Sequence, residues 1–282
     1  MTFMPVPPET ASIASERSNP EPFYRRHLLT IVAFFIGMAF LAAPWSFEQK
    51  AHAAMHGLCA QTPSHSFFFD GRALPFDGRM TGIYGGLLST VIILVSMGRY
   101  RAAGLPSVGA GVVLVAFVGA MALDGFNSLF FDLGKWHPYT PSNEYRLLTG
   151  WMAGVGIGTV VIMLVGMTLW RRPKTKERVL SRWWLPLALL LPIIPVRLLI
   201  GTGSDLVFYP FSLVLMASAV VAFTTLVLVT SLMLFNRENR YESFSQLRKL
   251  TAVSIVVAIA IILAIGGGRF WLEAVTNAPP LV

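Results

Sequence analysis

Seven runs of about twenty mostly apolar residues divide this chain, and each is long enough to cross roughly 30 Å of hydrocarbon as a helix rising 1.5 Å per residue. The runs fall near Leu28–Trp45, Thr81–Met97, Leu105–Phe126, Leu148–Trp170, Trp183–Ile200, Phe208–Phe235 and Leu250–Gly267. A composition of 55% hydrophobic and only 13% charged residues, with mean hydropathy +0.64, excludes an ordinary water-soluble domain. The expected fold is therefore an all-α polytopic transmembrane helical bundle of about seven spans, in the cell membrane.

A sequence pI near 10.0 could point to nucleic acid, but the basic residues are distributed by loop and not gathered in one groove or tail. Arg25 and Arg26 precede the first run, and Arg99 and Arg101 follow the second. After the fourth run stand Arg171, Arg172, Lys174, Lys176, Arg178 and Arg182 against Glu177 alone, and after the sixth Arg237, Arg240, Arg248 and Lys249 against Glu238 and Glu242. The intervening segments are neutral or acidic. Because Lys and Arg are retained in the cytoplasm, this alternation puts the N-terminus inside and the C-terminus outside. The lipid bilayer is then the partner the charge serves, and nucleic acid is not.

Residues 1–22 are rich in Pro, Ser, Thr and Glu with nothing at helical spacing to bury, which reads as a disordered cytoplasmic tail ahead of one transmembrane domain over 23–282. Gly150, Gly154 and Gly158 form a small-residue stripe that lets another helix approach closely, and Pro186, Pro192 and Pro195 should kink the fifth run.

The outer segments carry the groups able to do chemistry. His52, His56 and Cys59 stand at i, i+4 and i+7, so on one helix they would share a face. Two imidazoles and a thiolate suit Zn or Cu, with His65 or His137 as a fourth ligand. A second group, Asp77, Arg79, Asp124, Asn143, Arg146 and Arg197, sits at or near the outer ends of runs. Ionisable side chains at the edge of hydrocarbon are expensive unless compensated, so these should meet one another or line a polar pocket. The cheapest arrangement has Asp124 accepting from one or both guanidinium groups of Arg79 and Arg146, with Asn143 satisfying a leftover donor.

The stretches Cys59-Ala-Gln-Thr-Pro-Ser-His-Ser-Phe67, Leu74-Pro75, Arg79-Met-Thr-Gly-Ile-Tyr-Gly-Gly86, Asp124-Gly125 and Asn143-Glu-Tyr-Arg146-Leu-Leu-Thr-Gly150 together carry a resemblance. From about Met55 to Gly158 the chain resembles a family of prokaryotic multi-pass membrane proteins known as domain of unknown function number two thousand and eighty-five. That family's pattern has His where this chain has Ala60, Arg where it has His65, and a second Cys where it has Asp77, so a Cys-pair chemistry could not carry over intact. The resemblance implies a membrane location and no activity.

Taken together, these residues point to a small-molecule or lipid-binding module or a membrane assembly subunit, with a homo-oligomer or a partner membrane subunit as its assembly options. The alternative is a membrane-embedded enzyme acting on a lipid or isoprenoid substrate at the outer leaflet, metal-dependent if the His/Cys set holds an ion.

Overall fold

The computed structural model describes residues 26–276, so the tail expected over residues 1–22 lies outside the described residues. The chain is mostly helical. Its helices are α1 (Leu28–Ala42), α2 (Phe47–Met55), α3 (Gly78–Ser96), α4 (Val108–Asp132), α5 (Asn143–Thr168), α6 (Leu185–Ala188), α7 (Ile193–Gly201), α8 (Asp205–Leu234) and α9 (Phe244–Thr276). By length and composition α3, α4, α5, α8 and α9 can each cross a membrane.

The other two expected spans are irregular. The first run makes α1, then turns by 116° into α2, so it counts as a crossing only if the bent pair is one span. Ala42-Ala43-Pro44 ends α1, since a proline disfavours helical backbone at the residue before it. A capping box then starts α2, with Ser46 accepting from the Gln49 amide and the Gln49 side chain accepting from the Ser46 amide. The fifth run is broken at Leu189–Pro192, where prolines remove backbone donors, leaving α6 and α7 in place of one long helix.

The strongest packing is α3 against α5, and glycine makes it possible. A Cβ on Gly82 would stand 2.3 Å from the Leu147 carbonyl oxygen, one on Gly150 2.2 Å from that of Arg79, and one on Gly154 2.3 Å from that of Ile83. The two backbones are thus in contact along a stripe repeating every four residues on both helices, which replaces the missing hydrophobic drive between apolar helices by close van der Waals approach. Outward, α4 shows Val108, Val112, Val115, Leu123 and Phe126 mostly uncovered, as a lipid-facing helix does.

The loops gather at two ends. At one, β1 (Ala102–Gly104) pairs in parallel with β2 (Lys174–Arg178), and Arg99 meets Glu177 at 3.0 Å. There too Arg101 donates to the Glu242 carbonyl at 2.6 Å, and the Arg171 amide to the Tyr241 carbonyl at 2.8 Å. This is the basic end. At the other end, Asn143 donates to the carbonyls of Ser64 and Ser66, Arg72 faces Asp205 at 3.5 Å, and Arg269 reaches back to the carbonyl of His56. The broken fifth run connects the two ends, because Trp183 packs on Gly109 beside the basic end while Arg197 pairs with Glu144 at the opposite one.

Candidate functional site

The His, Cys, Asp and Arg residues expected on the outer side are held by the fold in separate groups and not in one cluster. The first joins α3, α4 and α5. Arg79 donates to Asp124 at 2.6 Å and to Ser128 at 3.2 Å, while Asp124 also accepts from Tyr139 at 2.8 Å and Thr149 at 3.2 Å. The Asp124 side chain is only 2% exposed, so its charge rests on these donors and not on water. Arg146 donates to Asn143 at 3.0 Å and does not reach Asp124. Asp77 caps α3 by accepting from the Met80 amide. Arg197 stands apart, half-exposed and paired with Glu144.

The second group was not legible as such in the sequence. His56 lies between Gln61 Oε1 at 3.3 Å and Glu273 Oε2 at 2.9 Å, and its ring stacks on Phe270 with centroids 4.0 Å apart. The Gln61 amide nitrogen donates to the carbonyls of His52 and Pro75, which fixes its oxygen toward His56. Both imidazole nitrogens therefore face side-chain oxygens. Arg269 completes the group, pairing with Glu273 at 2.8 Å and donating to the carbonyls of His56 and Cys59. The only sequence signal was Arg269 and Glu273 at i, i+4, one turn beyond the apolar run that ends near Gly267.

The metal expectation fails on this geometry. Helix α2 stops at Met55, so Cys59 does not share a helical face with His52 and His56. Just beyond the stop, a Cβ on Gly57 would stand 2.4 Å from the Gly266 amide nitrogen, an approach to α9 that only glycine allows. His52 is bonded to the Glu48 carbonyl, His65 lies 3.6 Å from Asp132, and the Cys59 sulfur accepts from the amides of Gln61 and Asp77. Burial pushes the Cys59 thiol up to about 12, with Asp77 adding to the rise, the opposite of what a thiolate ligand needs. His137 bonds the Lys135 carbonyl, away from the other three. Among the described residues no three His, Cys, Asp or Glu side chains form a metal-holding group.

A groove of about 550 Å³ opens beside α2, lined by Glu48, His52, His56, Gln61, Phe68 and Phe270 among others. On the other face of α2 lies an apolar cavity of about 330 Å³, where Met55 and Ala54 meet Phe40 of α1, Met216 of α8 and Ile262 of α9. One short helix thus separates a polar, aromatic recess from a dry one.

The arginine–aspartate network, the Asp77 cap and the α3–α5 glycine contact all fall in one continuous stretch. Residues 59–160 match the family described as a predicted membrane protein, DUF2085. This stretch is similar to the DUF2085 family. Together with the long apolar helices it makes the chain a multi-pass membrane protein. The matched stretch contains Arg79, Asp124, Asn143 and Arg146, whereas α2 and the Arg269–Glu273 turn that flank the groove lie outside it. No curated protein and no solved structure matches the chain.

Proposed function

We propose that this protein crosses the membrane seven times, N-terminus inside and C-terminus outside, and binds an amphiphile of lipid class at its outer end, in the groove beside α2. The orientation is supported by the gathering of Arg99, Arg101, Arg171, Lys174 and Arg178 at one end, since positive loops stay in the cytoplasm. The observation that carries the binding reading is the pair of recesses on the two faces of α2. A headgroup in the larger one meets Glu48, His52 and the imidazole of His56, with Phe68 and Phe270 as apolar walls. Its acyl chain lies along these aromatic walls, and the cavity across α2 is a separate apolar recess. Ligand sites are characteristically apolar recesses with a few convergent polar groups, and this groove has that character.

Native mass spectrometry of protein released gently from detergent tests the reading. The parent chain should retain one lipid-sized adduct, and Ala53→Trp, which fills the groove, should lose it while keeping its fold. A parent chain that sheds all adducts as readily as the variant contradicts the proposal.

A further inference from the structure

We infer that the seam between α1 and α9 at the basic end holds one phospholipid with an anionic headgroup, its phosphate against Lys249 and an acyl chain along the α9 valines. A recess of about 480 Å³ lies in this seam, between Leu28 and Val32 of α1 and Lys249, Val253, Val256 and Val257 of α9. Its volume is that of a small-ligand site, but apart from Lys249 every side chain lining it is apolar, and no acidic residue lines it.

The recess runs in the direction a lipid would. Helix α9 begins at the basic end, two residues after Glu242 accepts from Arg101, and its apolar run begins at Leu250. Lys249 therefore stands at the step from polar loop to apolar helix. From there to Val257 is about 12 Å of helix, most of the roughly 15 Å that one leaflet contributes to the hydrocarbon layer. Val253 and Val256 are 59% and 56% exposed on a helix apolar enough to cross a membrane, so hydrocarbon is what covers them favourably. Helix α1, the other wall, has no buried residue, so its own side chains leave the seam unfilled.

The headgroup's charge follows from the cations. A lysine at the edge of hydrocarbon lays its aliphatic stem on apolar surface and sends its ammonium outward. Lys249 has no hydrogen-bond or ion-pair partner among the described residues, and Arg26, two residues before Leu28, brings a second cation to the same end of the seam. Each such cation at a membrane surface favours an anionic lipid by about five-fold.

The test is native mass spectrometry of the full chain in maltoside detergent, titrated with dioleoyl phosphatidylglycerol and, separately, dioleoyl phosphatidylcholine. The first phosphatidylglycerol should bind about five-fold or more tighter than the first phosphatidylcholine. Lys249→Gln should weaken it about five-fold, whereas Arg240→Gln, which removes an exposed cation from the loop before α9, should leave it unchanged. Val253→Trp, which fills the recess from its exposed side, should lose the preference and melt with the parent. Ala53→Trp, which blocks the separate groove beside α2, should keep the preference, so the two lipid sites fail independently. Because Lys249 is exposed, its variant tests the site even where Val253→Trp does not fold. The inference is overturned if the two lipids bind alike, if Lys249→Gln binds as the parent does, or if Arg240→Gln weakens binding as much. It is equally overturned if a folded Val253→Trp retains the preference or Ala53→Trp abolishes it.

Discussion

Arg79 Nη2 lies 2.6 Å from Asp124 Oδ2, tying α3 to α4 through a carboxylate that Thr149 of α5 also holds. Since Asp124 is almost wholly buried, removing its charge strands Arg79 at the edge of the hydrocarbon. Asp124→Asn should therefore cost about 3 kcal/mol, seen as a lower denaturation midpoint in detergent. Asp132, 42% exposed and 3.6 Å from His65, is the control, and Asp132→Asn should change stability by about 0 to 1 kcal/mol. Equal small effects would mean the two carboxylates are solvated alike.

Gly150 tests the other tie between these helices. Its Cβ would stand 2.2 Å from the Arg79 carbonyl oxygen, a backbone atom that cannot swing aside. Gly150→Ala should push α3 and α5 apart and lower stability by about 2 kcal/mol or more, measured by thermal unfolding. Gly119→Ala, on open surface of α4, should be neutral or slightly stabilising.

Cys59 should be inert in the folded protein. The rise of its thiol from 9.0 to about 12 lowers the thiolate fraction about a thousand-fold near neutral pH, and 4% exposure blocks the reagent as well. Maleimide should label it only after denaturation. Burial, with the hydrogen bond to Asp124, likewise holds the Tyr139 hydroxyl up to about 12 against 10.0. Both groups keep their protons more tightly when folded, so their stabilising effect is full below about pH 9 and is lost as the pH rises toward 12. A Tyr139→Phe, Cys59→Ala variant should show a shallower loss of stability between pH 9 and 12.

The orientation has its own test. With Cys59 replaced by Ser, a cysteine at Thr175 should resist an impermeant maleimide in intact cells, and one at Trp136, 80% exposed, should be labelled. Labelling of the first and not the second would invert the topology.

Much of this architecture is legible in the sequence because bilayer physics leaves few choices. Apolar length sets helices, and the Gly150, Gly154 and Gly158 stripe announces a close neighbour without saying that Gly82 and Gly86 supply the other half. Prolines foretold a disturbed fifth run, though not that it would split into α6 and α7. The pairing of Arg79 with Asp124 follows from the cost of burying either alone. The His/Cys spacing misled because it presumed a helix continuing past His56, where Gly57 meets Gly266 some two hundred residues along the chain. No local pattern encodes such an approach, nor the capture of His56 by Glu273. The groove is likewise a product of tertiary packing, assembled from α2, the first long loop and the end of α9.

The central claim is that a lipid-class amphiphile sits beside α2, and cross-linking with a lipid bearing one diazirine near its headgroup, carried out on the full chain in nanodiscs, addresses it most directly. Peptide mapping should find the label concentrated on Glu48–His56 and Phe270–Glu273, and Ala53→Trp should remove it from both. Label spread evenly over the exposed face of α4, at Val112, Val115 and Leu123, and unchanged by Ala53→Trp, would mean that lipid only surrounds the protein and that the groove binds none.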